Sequence, residues 1–295
     1  MHPTRELDQC LLDLAWSLWT ELGIAGTKRN HKKVLILVEE LVLFTSVLAE
    51  IDPRLRDEVL DWCCKYHRFI SVSRLKSLLK DFEELVKVPF SKFAATFNEL
   101  SGESWPVPDE AIPGKISPLS GKSNLRPHES EALLNIRARS IFGTGARADV
   151  ITFFLVNSNR DFSVAEAGEI GYSKRNLAEV LDDLRFGNLF GMVMQGNQQR
   201  YRLNKNSHLF DILKPIPSSA PSWRLIFSIL LSLRNCILKT KDYSESSQGI
   251  EIQNCLREFE GSFQKLGVIP PSFQNNFTTY LDAFNSWLLQ WAKML

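Results

Sequence analysis

Lys174, Arg175 and Asn176 follow directly on Ser173, an order of side chains suited to a nucleic-acid duplex. Lys and Arg can pair with phosphate or with the guanine edge, and Asn with adenine. Gln198, Arg200 and Arg202 come later, in a stretch of alternating character where the two arginines share one strand face and could brace phosphates. These seven residues, Ser173, Lys174, Arg175, Asn176, Gln198, Arg200 and Arg202, are the expected DNA-binding set. Catalytic chemistry has less to stand on. Gly121-Lys122-Ser123 has the end of a phosphate loop, but Ile116 stands where the full pattern needs another glycine. A flexible linker is the better reading of that stretch. His2, His31, His67, His128 and His208 are scattered, with no metal-ligand spacing and no triad order. Cys63 and His67 lie one helical turn apart and could share a metal, although a core cysteine beside a half-exposed histidine is commoner. We therefore expect no enzyme, no cofactor and no metal.

The elements that must hold these residues can be read locally. Ser163 and Glu166 have the spacing of a capping box, which predicts a short helix over Val164–Ile170. Gly171 suits the left-handed residue that ends it, and Ser173 caps the next helix, Ser173–Arg185. Tyr172 and Leu177 occupy the two positions of a hydrophobic staple. Leu177, Val180, Leu181 and Leu184 form the buried stripe, leaving Lys174, Arg175, Asn176, Ala178, Glu179 and Asp182 outward. Only the first turn is basic, because Glu179, Asp182 and Asp183 follow. A hairpin comes next, with Gly196-Asn197 as a tight turn expected to take positive φ at both positions. Tyr201 and Leu203 should face inward from it, and Arg200 and Arg202 outward.

From Tyr172-Ser-Lys-Arg-Asn176 to Arg200-Tyr-Arg-Leu203 the chain resembles the recognition helix and wing of ArsR/MarR-type winged helix-turn-helix transcription regulators. The likeness runs from Ser130 to Lys205. It implies a cytoplasmic, homodimeric protein that binds double-stranded DNA, with the second helix in the major groove and the hairpin at Gly196 on the backbone. The flanking helices would supply dimerisation or a pocket for an unidentified small-molecule or protein effector. No Cys/His cluster lies in the module, so the metal-responsive branch is not supported. The alternative is a non-catalytic interaction protein that uses the winged helix as a docking platform.

The formal net charge is only +1, so DNA binding would rest on the placement of charge rather than its amount. The length of 295 residues suits about two domains. The five cysteines include no C-x-x-C, and Met1-His2-Pro3 leads directly into an amphipathic helix, which points to a reducing cytoplasm. The most apolar run, Leu225–Leu233, falls far short of the roughly 20 residues that cross a bilayer, so no membrane is expected.

The fold expected is mainly α: an N-terminal helical domain over 1–100, a proline-rich linker over 101–128, a winged helix-turn-helix with a small β-hairpin wing over 129–214, and a C-terminal helical region over 221–295. Asp52-Pro53 opens one N-terminal helix, and Ser71 or Ser73 the next. The linker carries Pro106, Pro108, Pro113, Pro118 and Pro127; it either lies across the surface through Trp105 and Val107 or is mobile. In the winged helix, Leu133, Leu134, Ile136 and Ile141 should open the core, followed by a helix over Arg147–Val156. Trp223–Lys239 reads as a buried helix, and aromatics recur at helical spacing from Phe273 to Trp291. If a dimer seam exists, the terminal helix and the Trp223 helix lead as its candidates, being the most apolar elements.

Overall fold

The computed structural model describes residues 3–26, 30–114, 118–204, 206–273 and 276–295. Met1, His2, Ile116 and Lys205, on which parts of the sequence reading fall, lie outside them. The described chain is mainly helical with one small antiparallel hairpin. Among the described residues no helix is long and apolar enough to cross a membrane.

Four helices open the fold: α1 (Pro3–Glu21), α2 (Val38–Leu48), α3 (Pro53–Tyr66) and α4 (Val72–Ser101). Asp52 caps α3 by accepting from the backbone N–H groups of Arg54 and Leu55, and Ser71 caps α4 by accepting from that of Arg74. α4 ends on Gly102 in the left-handed conformation, at φ 72°. The chain closes with α9 (Trp223–Thr240), α10 (Glu245–Glu258), α11 (Glu260–Leu266) and α12 (Phe277–Met294).

These two ends of the chain share a single hydrophobic core. The physical reason lies in α2 and α9. Both are apolar around most of their circumference, so each needs neighbours on several sides, and neither terminal region alone supplies enough of them. Phe44 of α2 stacks on Phe227 of α9 at 4.2 Å between ring centres. The Trp223 indole N–H donates to the Leu35 carbonyl at 2.6 Å, while Asp8 of α1 meets Arg234 of α9 at 2.5 Å. The regions 1–100 and 221–295, read separately from the sequence, are one helical body. The reading of the Trp223 helix as a dimer seam is corrected accordingly: Ile226, Phe227, Leu230, Leu231 and Leu233 are already buried within the same chain. Of the C-terminal aromatics, Tyr280, Phe284 and Trp291 are buried core and Trp287 packs partly buried against them, while Phe273 is exposed.

The proline-rich segment is a strap docked on this body. Trp105 is buried against Phe90, Phe93 and Phe97, stacking on the last at 4.0 Å. Asn98 brackets it, donating to the Trp105 carbonyl at 3.1 Å and accepting from its N–H at 2.8 Å. Val107, expected to help, is exposed. Further along, the Asp61 carboxylate accepts from the N–H groups of Gly121 at 2.7 Å and Ser123 at 3.4 Å. An acid thus occupies the backbone donors that a phosphate would have needed. Replacing Trp105 with alanine should cost about 3–5 kcal/mol, the usual cost of emptying an aromatic core site. Denaturant unfolding would read it, and a loss under 1 kcal/mol, about what an exposed site gives, would show the strap to be loosely held.

The central unit, expected as a winged helix, has its own core. It contains α5 (Leu134–Phe142), α6 (Ala146–Val156), a 3-10 turn (Glu166–Ile170), α7 (Lys174–Phe186), β1 (Phe190–Gln195), β2 (Gln198–Leu203) and the short α8 (Leu209–Leu213). Val150, Ile151, Phe154 and Leu155 of α6 are buried as expected, whereas Ile141 is half exposed. The helix expected over Val164–Ile170 tightens into the 3-10 turn. Its capping box nevertheless forms, and Gly171 closes it at φ 93°. Runs this short commonly take 3-10 bonding where they serve as connectors between helices.

A buried ionic cluster joins the two units. The Arg139 guanidinium of α5 donates to Glu39 of α2 at 2.6 Å, to the Phe69 carbonyl at 2.6 Å and to both Asp149 oxygens of α6 at 2.9 and 2.8 Å. Arg74 of α4 donates to Glu39 at 3.0 Å, to the Ile170 carbonyl at 3.0 Å and to Glu40. Tyr172 donates to Asp149 at 2.8 Å, and its hydroxyl also meets that of Ser71 at 3.1 Å. Burial by itself would raise the Asp149 carboxyl. The neighbouring Arg139 and Arg74 and the Asn135 amide outweigh it and hold Asp149 below the usual carboxylate range. Tyr172, expected as a hydrophobic staple, therefore also pins the turn before α7 to the helical body.

Candidate nucleic-acid interface

α7 is positioned from three sides. Leu177, Leu181 and Leu184 are buried against the core of the central unit, with Val180 partly buried beside them. The Ser173 hydroxyl accepts from the Asn176 N–H at 3.3 Å and caps the helix. Tyr172, one residue earlier, is tied to Asp149. Local sequence thus sets where the helix starts, and the buried stripe sets which face turns outward.

The outward face carries four of the expected residues together. Ser173, Lys174, Arg175 and Asn176 are all exposed at the first turn, and among the described residues no other part of the chain covers them. The Arg175 side chain is 89 % exposed and reaches Glu179 one turn on, at 2.9 Å. The positive end of the helix dipole adds to the attraction for an anion here. Farther along, charge cancels: Arg147 pairs with Asp183 at 2.9 Å and Arg185 with Asp182 at 3.4 Å. The cationic region is therefore confined to the tip.

The wing is an antiparallel pair in which Phe190 faces Leu203 and Gln195 faces Gln198. The two-residue loop differs from expectation, since only Gly196 takes positive φ, at 57°. A turn with glycine first and positive φ there alone fits type II′ rather than type I′. Tyr201 and Leu203 are buried as expected. Backbone hydrogen bonds between Tyr201 and Phe162, at 2.9 and 2.8 Å, attach β2 to the segment before the 3-10 turn.

Arg202 and Gln198 are exposed, in line with a hairpin that could lie along phosphates. Arg200 is not. Only 17 % of its side chain is accessible; it meets both oxygens of Glu166 at 3.0 Å and the Asp161 carbonyl at 2.6 Å. The Ser163 N–H and hydroxyl, with Arg200, bring the Glu166 carboxyl down to about 2. Arg200 is thus corrected from an outward phosphate contact to a clamp between wing and capping box. Strand parity placed it beside Arg202 but could not show that Glu166 would lie within reach.

Among the described residues the remaining candidates form no second centre. His67 faces Glu103 at 3.4 Å, and burial pushes the Cys63 thiol well up. Among the described residues no three His, Cys, Asp or Glu side chains gather where they could hold a metal. No protein-family model, no curated protein and no solved structure matches the chain.

Proposed function

We propose that this chain is a cytoplasmic DNA-binding transcription regulator of the winged helix-turn-helix kind, acting as a homodimer on double-stranded DNA. In this reading the tip of α7 enters the major groove and the Arg202 side of the hairpin rests on the backbone. The observation that carries it is the exposed, capped first turn, with Lys174, Arg175 and Asn176 side by side on a helix whose opposite face is fully packed. Ser173 contributes as the cap and as a neighbour of phosphate, and Gln198 as a polar contact on the wing.

A second reading, a protein-docking platform, has its own support. Phe186 at the far end of α7 is 82 % exposed and Met194 near the hairpin tip is 60 % exposed. Exposed apolar groups beside cancelled charge suit a protein partner better than a polyanion.

Selection of bound duplexes from a random pool by the purified chain separates the two. The proposal expects enrichment of a motif, repeated as a palindrome with half-sites about one helical turn apart. Absence of any retained DNA at low salt would overturn it and leave the docking reading.

A further inference from the structure

A cavity of about 180 Å³ lies where the helical body and the central unit meet. Leu37, Glu40 and Trp223 line it from the helical body, and Asn135, Phe153 and Val156 from the other unit. Its size suits one ring, since an apolar cavity of about 150 Å³ is enough to hold benzene.

Two polar atoms of the lining residues are unmatched. Glu40 Oε2 and Asn135 Oδ1 are buried without a hydrogen-bond partner. Asn135 Oδ1 can only accept from a ligand, for the Asn135 amide nitrogen is already committed to Asp149 at 2.9 Å. Glu40 Oε2 accepts when its carboxyl is ionised, the form that burial opposes and Arg74 favours. The surrounding charges are also unequal. Glu39, Glu40 and Asp149 face Arg74 and Arg139, three acids against two guanidinium groups. Glu39 and Asp149 have both oxygens engaged, and Glu40 bonds through one alone, to Arg74. When ionised, Glu40, the residue with the bare oxygen, carries the surplus negative charge. Three arginines also border the cavity, but Arg74 is held by Glu39 and Glu40, Arg224 is paired with Asp81 at 2.8 Å, and Arg160 lies over the Phe162 ring, with Glu169 on the same rim.

We propose that this cavity binds a small organic cation, a primary amine carrying one aromatic or branched aliphatic group. Its ammonium sits on Glu40 Oε2, Asn135 Oδ1 accepts a further N–H, and the apolar body rests against Leu37, Phe153, Val156 and Trp223. Such a ligand supplies the missing positive charge and the missing donors together. The site exists whether or not α7 meets DNA, so it stands apart from the regulator reading.

Calorimetric titration of the full chain with benzylamine, benzyl alcohol and benzoate tests it. Benzylamine should bind saturably and at least about tenfold more tightly than either analogue. Glu40→Gln should remove that preference. Val156→Phe, which fills the cavity and keeps Glu40, should block binding altogether, and it decides the matter if the Glu40 variant does not fold. No binding of benzylamine, equal binding of all three probes, or unchanged affinity in folded Val156→Phe would each overturn the proposal.

Discussion

Replacing Arg139 with methionine should lower the stability of the protein by about 3–5 kcal/mol, the cost of stranding a buried charge by removing its partner. The substitution roughly keeps the volume, so the loss is electrostatic. Arg139 is fully buried and pairs with both Glu39 and Asp149, across the junction of the two units. Without it Asp149 keeps only Asn135 and Tyr172 as donors. The pH dependence has a definite sign. In the native protein Asp149 is held below the ordinary carboxylate range, so its contribution is present above its unfolded value and is lost as pH falls through the lower folded value. In the variant, burial without the guanidinium raises that carboxyl, and its neutral form is tolerated. The deficit should therefore be largest near neutral pH and shrink as pH falls through the carboxylate range. Urea unfolding followed by tryptophan fluorescence at several pH values measures both. A deficit under 1 kcal/mol at neutral pH, the range of an exposed ion pair, would show that the cluster does not hold the units together.

The double substitution Lys174→Ala, Arg175→Ala should leave the melting temperature unchanged and weaken duplex binding on the order of 100-fold, since one good contact of this kind is worth about 1–3 kcal/mol. Stability should not move because both side chains are exposed, and the partner lost by Arg175 is an exposed Glu179 one turn away. Such a pair is worth only about 0.3–0.5 kcal/mol. If the two residues meet phosphates, the slope of affinity against salt should also fall by about 0.9 for each. Gel retardation across a salt series reads both effects. Arg200→Ala makes the complementary control: it should act on the attachment of the wing, through Glu166, and alter the salt slope little. Undiminished retention of DNA by the double variant would remove the tip of α7 from the interface.

Features specified within a few residues could be read from the sequence. Ser163 with Glu166, Gly171, Ser173, Asp52 and Ser71 act through neighbouring backbone groups, and each is found doing so. The stripe of α7 and the hairpin register follow from spacing in the same way. Features set by distant partners were not readable. Glu39, Arg74, Arg139 and Asp149 fall at positions that look like a solvated polar face, and only the meeting of four helices makes them a core. Periodicity could place Arg200 on a strand face but not beside Glu166. α9 was legible as a buried helix, yet no local pattern shows that α1, α2 and α4 would be what buries it. Trp105 lies in a proline-rich stretch whose composition suggests a connector; its burial depends on the aromatic face of α4, built from Phe90, Phe93 and Phe97.

The central claim is that the first turn of α7 and the outer edge of the wing meet DNA. Backbone amide shifts of the labelled protein, recorded as a selected duplex is added, test this residue by residue. The largest changes should fall on Ser173–Asn176 and around Gln198 and Arg202, with Phe186 and Met194 unaffected. Changes centred on Phe186 and Met194, or none at saturating duplex, would contradict it.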